Sequence, residues 1–160
     1  MINENKGIVE CLLQKGQKLY GGIRSAIREA DSANRINWTD TGLERVATVG
    51  GVELRHGVDN DGSIRFTIPL QGFLRVRELG VYPNGLFYDR ERYPSSRKMI
   101  RNDSVFWANE VSSDQPYAYV GGSDYPVSIE GNPEKSLPYF EELKAFLVTP
   151  KAYTMQPLFN

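Results

Sequence analysis

The first third of the chain carries an apolar stripe with the period of an α-helix. Apolar residues recur at steps of three, four and seven, at Ile8, Leu12, Leu19, Ile23, Ile27 and Ala30, with Cys11, Tyr20 and Ala26 widening the stripe. This spacing predicts a helical segment over 7–34. The pair Gly21-Gly22 interrupts the pattern, and each glycine costs about 1 kcal/mol relative to alanine. The sequence therefore leaves open one long helix or two helices that meet at this pair.

From about residue 45 the hydrophobic period changes to two, the repeat of a half-buried β-strand. Turn signals separate the alternating stretches at Gly50-Gly51, at Asp59-Asn60-Asp61-Gly62 and at Pro83-Asn84-Gly85. Later strand candidates are 105–107, 117–120 and 125–130, the last placed at an edge because it contains Pro126. The pattern predicts an antiparallel sheet of about five or six strands within 45–130.

A helical period returns near the end of the chain and predicts a C-terminal helix over 134–148. Its apolar face is Tyr139, Leu143, Phe146 and Leu147. Either Asn132-Pro133-Glu134 or Ser136-Leu137-Pro138 can begin it, since proline is tolerated in a first turn. The tail 150–160 is apolar enough that we expect it to dock on the domain or on a partner. Helix, hairpins and helix in this order predict an α+β fold in a single domain over 1–160.

Composition narrows the class of protein. The chain has 160 residues, 40% of them hydrophobic and 24% charged, which is typical of a soluble globular domain. One cysteine and one histidine exclude an internal disulfide and a structural zinc site. The apolar runs are too short to span a bilayer, and the first residues lack the apolar core of a secretory signal. We therefore expect a cytoplasmic protein with no membrane partner.

Local motifs offer little chemistry. A Cys11–His56 nucleophile pair requires the two side chains to meet, whereas Cys11 on the apolar stripe is expected to be buried and inert. The acidic run that begins at Asp59 resembles the start of a calcium loop, but the twelfth position, which needs glutamate, is Leu70. The glycine pairs lack the residues of a nucleotide-binding loop. These motifs predict neither a metal nor a cofactor.

Charge is distributed unevenly along the chain. Residues 65–101 contain eight basic and three acidic side chains, a net charge of +5, whereas residues 102–160 contain three basic and eight acidic ones, a net charge of −5. Most of the mid-chain cations are arginines, which suit carboxylate and phosphate recognition. The two stretches can neutralise each other within the fold, or the basic stretch can bind an acidic protein, a phosphate or single-stranded nucleic acid.

Arginine and tyrosine are enriched at protein interfaces, and both occur around the 83–85 turn. The predicted binding residues are Arg75, Arg77, Arg90, Arg92, Tyr88 and Tyr93. Our first interpretation is a non-enzymatic intracellular protein-binding module, of accessory, inhibitor or immunity type, whose partner has an acidic surface. The alternative is a phosphate- or nucleic-acid-binding module that uses the 65–101 segment. A third is an enzyme that uses carboxylates, either Asp89 with Glu91 or Asp103 with Glu110.

Overall fold

A computed structural model describes the backbone of residues 2–57, 62–70, 75–93, 99–108, 117–119 and 126–149, and the side chains of 7–57, 62–70, 75–93 and 131–149. The elements in chain order are α1 (Ile2–Ser32), β1 (Thr39–Asp40), β2 (Glu44–Val49), β3 (Val52–Gly57), β4 (Ile64–Pro69), β5 (Val76–Val81), β6 (Phe87–Arg92), β7 (Met99–Ala108), β8 (Tyr117–Tyr119), β9 (Pro126–Gly131) and α2 (Pro133–Val148). The predicted α+β arrangement of helix, antiparallel sheet and helix is confirmed. The 150–160 tail lies outside the described residues.

The strands form one antiparallel sheet in the order β1-β2-β3-β4-β5-β6-β7-β9-β8. Strands β2 to β7 are six consecutive neighbours, and they make up the meander that the sequence pattern predicts. The other described strands extend this meander at its two edges. Strand β9 lies between β7 and β8, so the prediction of an edge position for it was wrong. Pro126 is the first residue of β9, where a missing backbone N–H is tolerated.

The turns follow the glycine signals. Gly50 and Gly51 join β2 to β3 with φ values of 56° and 82°, and a two-residue hairpin loop of the primed type requires positive φ at both positions. Gly85, at φ 101°, closes the β5–β6 turn with its N–H on the carbonyl of Tyr82, 2.9 Å away. At the β3–β4 hairpin, Gly57 N–H donates to the carbonyl of Ser63 at 2.9 Å. Residues 58–61 of that predicted turn lie outside the described residues.

Both helices pack on one face of the sheet, which we call the helix face; its opposite is the far face. The alternation of the strands decides which side chains lie on each. Core residues of the helix face are Ala47, Val52, Leu54, Ile64, Phe66, Ile68, Leu79, Val81 and Phe87. On α2 the buried residues are centred on Phe140, whose ring contacts Phe87 edge-on with centroids 6.0 Å apart. Helix α2 begins at the first of the two predicted start signals, with Pro133 in its first turn.

Helix α1 is continuous through Gly21-Gly22. Its apolar face packs on the sheet and on α2, and this burial outweighs the roughly 1 kcal/mol that each glycine costs. The apolar face differs from the predicted stripe at its N-terminal end. Val9 is fully buried, whereas Ile8 is 53% exposed. Cys11 is also exposed, so the prediction that it is buried was wrong.

The middle of α1 rests on the β5–β6 turn through two glycines. A Cβ at Gly16 would lie 1.8 Å from the carbonyl oxygen of Gly85. Gln17 adds a hydrogen bond from its side-chain amide to the carbonyl of Asn84, at 3.0 Å. A residue with any side chain at position 16 therefore forces the helix and the turn apart.

We expect Gly16→Ala to destabilise the fold and Gly21→Ala to stabilise it. The first substitution drives a methyl group into a backbone carbonyl, at a cost of about 1–3 kcal/mol for overpacking. The second places the same methyl in open space, where helix propensity contributes about 1 kcal/mol in favour. Urea denaturation of both variants measures the difference. Equal midpoints for the two would contradict the tight contact.

Candidate binding site on the far face of the sheet

Charged residues on the far face come together by strand register. Arg55 of β3 lies directly opposite Arg65 of β4, and the same row continues to Gly80 and Tyr88 on β5 and β6. The next row contains Glu53, Thr67, Glu78 and Arg90. Like charges directly opposite each other destabilise a sheet, so the Arg55–Arg65 pair requires compensation.

Glu44 supplies that compensation from the start of β2. Its Oε1 accepts a hydrogen bond from Nη1 of Arg55 at 2.5 Å, and its Oε2 accepts one from Nη2 of Arg65 at 2.7 Å. Burial acting alone would raise the pKa of Glu44, but these hydrogen bonds outweigh it and hold the pKa below its ordinary value. Glu44 is therefore an ionised bridge between two cations. Glu53 also pairs with Arg55, through Nε at 2.7 Å.

A second bridge lies further along the sheet at Glu78. Its carboxylate is nearly buried, accepts a hydrogen bond from Nε of Arg90 at 2.7 Å, and has Arg92 at 3.4 Å. The guanidinium of Arg90 lies over the ring of Tyr88, 4.8 Å from its centroid. These contacts orient both arginines on the far face.

Gly80 makes room for the ring of Tyr88. A Cβ at this glycine would lie 2.3 Å from a ring carbon, so the ring occupies the space that a side chain would take. Burial raises the pKa of the Tyr88 hydroxyl far above its ordinary value, with the nearby Glu78 adding to the effect. Tyr88 therefore remains neutral beside Arg65.

Eight side chains of the far face line a cavity of about 350 Å³, which we call the arginine cavity. The residues that line it are Glu44, Glu53, Arg55, Arg65, Thr67, Glu78, Arg90 and Arg92. Four arginines against three glutamates leave a net charge of +1. One polar atom is left over: Nε of Arg65 is buried and has no hydrogen-bond partner in the described part of the chain.

The predicted binding residues are divided between the two faces of the sheet. Five of them lie toward the end of the β5–β6 hairpin that is remote from the 83–85 turn, whereas Tyr88, opposite Gly80, lies near the turn. Arg90, Arg92 and Tyr88 lie on the far face. Arg75 and Arg77 pair with carboxylates of the helix face, and Tyr93 follows β6 in an exposed position. Whether these six residues bind a partner remains a prediction.

Arg77 belongs to a buried network between the sheet and α2. It donates from Nε and Nη2 to the two oxygens of Asp89, at 2.7 and 2.5 Å, and Asp89 is fully buried. Ser136, in the first turn of α2, donates its hydroxyl to the same carboxylate at 2.7 Å. The guanidinium also lies 4.4 Å from the ring centroid of Tyr139. These contacts attach α2 to the sheet.

Asp89 and Glu91, the first of the two predicted catalytic carboxylate pairs, are both paired with arginines. Both residues are buried, and Glu91 has Arg75 as an ion-pair partner at 3.4 Å. Carboxylates held by arginine in a buried position are poorly placed to exchange protons with a substrate. The other predicted pair, Asp103 and Glu110, lies outside the side chains that the structure describes.

Cys11 and His56 are far apart. His56 faces Arg24 and Asp31 of α1, and thirteen residues of helix, about 20 Å, separate Arg24 from Cys11. Nδ1 of His56 accepts a hydrogen bond from Arg45 at 3.2 Å, because a guanidinium can only donate. Arg45 is itself stacked on Trp38, 4.3 Å from the ring centroid. This arrangement does not support a Cys–His nucleophile.

Of the eight residues that line the arginine cavity, the predicted binding residues include only Arg90 and Arg92. Glu44, Glu53 and Arg55 precede the 65–101 segment, so a charge count along the chain assigns them elsewhere. A usable signal was present in the alternation, which places Glu53 and Arg55 on the polar side of their strand. In the described residues, the carboxylates that pair with the arginines of the basic segment come from within the sheet.

Comparisons with protein-family models, with characterised proteins and with solved structures find no match to this chain. In the parts that the structure describes, neither helix has the length and apolarity to cross a bilayer. The same parts contain no group of three or more metal-ligating side chains. The predicted calcium-free turn at 59–62 falls largely outside them.

We expect Arg77→Leu to destabilise the protein by about 3–5 kcal/mol, because it leaves the Asp89 carboxylate buried without its cation. The double variant Arg77→Leu/Asp89→Leu should recover much of that loss, since it removes the uncompensated charge as well. Urea denaturation of the two variants and the parent gives the comparison. A double variant no more stable than the single one would show that the pair is not a coupled unit.

We expect the free energy of unfolding to decrease as the pH is lowered, in part because of His56. Burial lowers the pKa of His56, and the positive charges of Arg45 and Arg24 lower it further against the opposing Asp31. The unfolded chain therefore binds the proton first as pH falls below about 6.5, and the folded state loses stability until pH passes the lowered pKa.

His56→Gln removes this titration and keeps an acceptor for Arg45. The free energy of unfolding of the variant should fall less between pH 7.5 and pH 5 than that of the parent. Carboxylates titrate in both proteins, so the difference between the two pH profiles isolates His56. Parallel profiles would mean that the imidazole has the same pKa in the folded and unfolded states.

Proposed function

We propose that this protein is a non-enzymatic cytoplasmic binding module, of accessory, inhibitor or immunity type, that binds an acidic protein through the arginine cavity and its rim. The observation that carries the proposal is the convergence of four arginines from three strands on one cavity of the far face. Arginine combines charge, planar donors and a broad apolar surface, which makes it frequent among interface hot spots.

The cavity arginines are already ordered. Carboxylates hold Arg55, Arg65, Arg90 and Arg92 in position, so a partner need not immobilise these long side chains on binding. Immobilising such a side chain costs about 0.5–1.5 kcal/mol, which preorganisation saves. Among the described residues, Arg55 donates from Nε and Nη1 and Arg65 from Nη2. Further donors of both guanidinium groups therefore remain for a ligand.

Mixed charge favours a protein over a nucleic acid. A phosphate backbone is uniformly negative and would meet Glu53 and Glu78 as well as the arginines. A protein surface carries both signs, so its acids can face the arginines while its lysines or arginines face the glutamates. The side chains of Arg55 and Glu53 are partly exposed, at 38% and 40%, which places this pair at the rim of such an interface.

The test uses Arg55→Glu with Arg28→Glu as its matched control. Both substitutions change the net charge equally, and Arg28 lies on the exposed side of α1, away from the cavity. Affinity capture from host extract with quantitative mass spectrometry should show a protein retained by the parent and by the control. Arg55→Glu should lose that protein at least tenfold, because like charges across an interface cost several kcal/mol.

Thermal melting shows whether each variant is folded, and Arg55→Gln is a milder substitution if the reversal unfolds the chain. Nuclease treatment and a salt series separate a protein partner from nucleic acid, whose binding weakens steeply with salt. Identical capture by parent, control and Arg55 variants would reject the proposed face.

A further inference from the structure

The Arg55–Arg65 pair has the features of a carboxylate site that the protein itself occupies. We propose that an aspartate or glutamate side chain of the partner binds this pair in place of Glu44, so that Glu44 is an internal competitor for the site. This inference rests on the proposed function and specifies the chemistry of its anchor.

The internal ligand fits the pair incompletely. Glu44 lies opposite Gly57 in the β2–β3 register, and Arg55 lies opposite Val46, so the carboxylate reaches diagonally to its two cations. It takes one hydrogen bond from each guanidinium. Arginine binds a carboxylate best through two parallel hydrogen bonds from one fork.

Arg77 shows the complete form of that contact in the same sheet. Its Nε and Nη2 both donate to Asp89. In Arg65 only one of these two donors is hydrogen-bonded. Nη2 donates to Glu44, whereas the buried Nε has no partner in the described residues. A buried donor without an acceptor costs about 1–3 kcal/mol. A carboxylate that replaces Glu44 on the fork and takes Nε together with Nη2 removes that cost.

Displacement of the Glu44 carboxylate does not require its backbone to move. Glu44 is the first residue of β2 and follows the 41–43 turn, in which Gly42 has a φ of 92° and Leu43 is strongly exposed. Rotation of its side chain leaves its backbone carbonyl free to keep accepting from the N–H of Thr41, at 3.0 Å. The sheet register therefore does not have to change when the site is vacated.

The size of the arginine cavity and its other two glutamates, Glu53 and Glu78, determine which ligand fits. A volume of about 350 Å³ accommodates one side chain with its neighbouring backbone and is at the small end of ligand sites. Glu53 and Glu78 disfavour a second anion close to the first. The anchor is thus a single acidic residue flanked by basic ones, whose charges meet these two glutamates.

The experiment titrates a synthetic peptide, acetyl-Lys-Ala-Glu-Ala-Lys-amide, into the full chain by NMR. We expect Glu44→Gln to bind it about tenfold or more tightly than the parent, because the site is no longer occupied internally. Glu29→Gln on the exposed side of α1 is the matched control, since it removes the same charge from the protein at a position outside the cavity. It should change the affinity less than twofold. Adding Arg65→Gln to Glu44→Gln should abolish binding, and a peptide with Gln in place of Glu should not bind.

If Glu44→Gln and the control variant bind the peptide with equally increased affinity, the increase comes from net charge alone, and the inference is overturned. If Glu44→Gln binds the peptide more weakly than the parent, Glu44 is part of the binding site, and the inference is overturned. If no variant binds the peptide, the site is rejected, and the inference is overturned as well. Inorganic phosphate binding more tightly than the peptide would overturn the carboxylate assignment. If Glu44→Gln melts early, Glu44→Asp replaces it, since the shorter side chain cannot bridge both arginines. The capture experiment is independent, because a partner lost by Arg55→Glu supports the proposed function even when the peptide fails.

Discussion

The packing of both helices on one face of the sheet is the constraint on which the rest of the structure depends. It divides every strand into residues that must be apolar or fully paired and residues that can remain charged. The close contact between Gly16 and Gly85 sets how near α1 comes to the β5–β6 turn, and the apolar face of α1 closes over the sheet from there. Continuous burial along α1 also explains why a helix with four internal glycines does not break.

The same constraint gives neighbouring arginines different roles. Arg77 falls on the helix face and is enclosed with Asp89 and Ser136, where a buried charge is tolerated only because its donors are satisfied. Arg90 falls on the far face and is held by Glu78 at the wall of a cavity. One position along a strand thus separates an arginine that attaches a helix from an arginine that can meet a partner.

The far face combines rigidity with unused binding capacity. Its arginines are ordered by glutamates, and the Tyr88 ring stacks over Gly80 beside them. Such a surface recognises a pattern of charges more readily than a uniform polyanion. Selection of a partner by a mixed charge pattern is consistent with a protein-binding role. The incompletely paired Arg65 is the position at which an acidic side chain of the partner would gain the most binding free energy.

Local pattern in the sequence was sufficient for the class of fold. Period-two alternation, glycine turn signals and two amphipathic segments predicted the order of helix, meander and helix, because each of these depends on residues close together in the chain. The exact apolar face of α1 was not predictable at its first turn, where Ile8 and Val9 are both apolar and only contact with the sheet selects Val9. The same contact left Cys11 exposed. The alternation along each strand indicated which residues are on the polar side, but the assembly of the candidate site depended on tertiary structure. Strand register brings Glu44 to Arg65 and separates Arg77 from Arg90, and a count of charges along the chain contains no information about register.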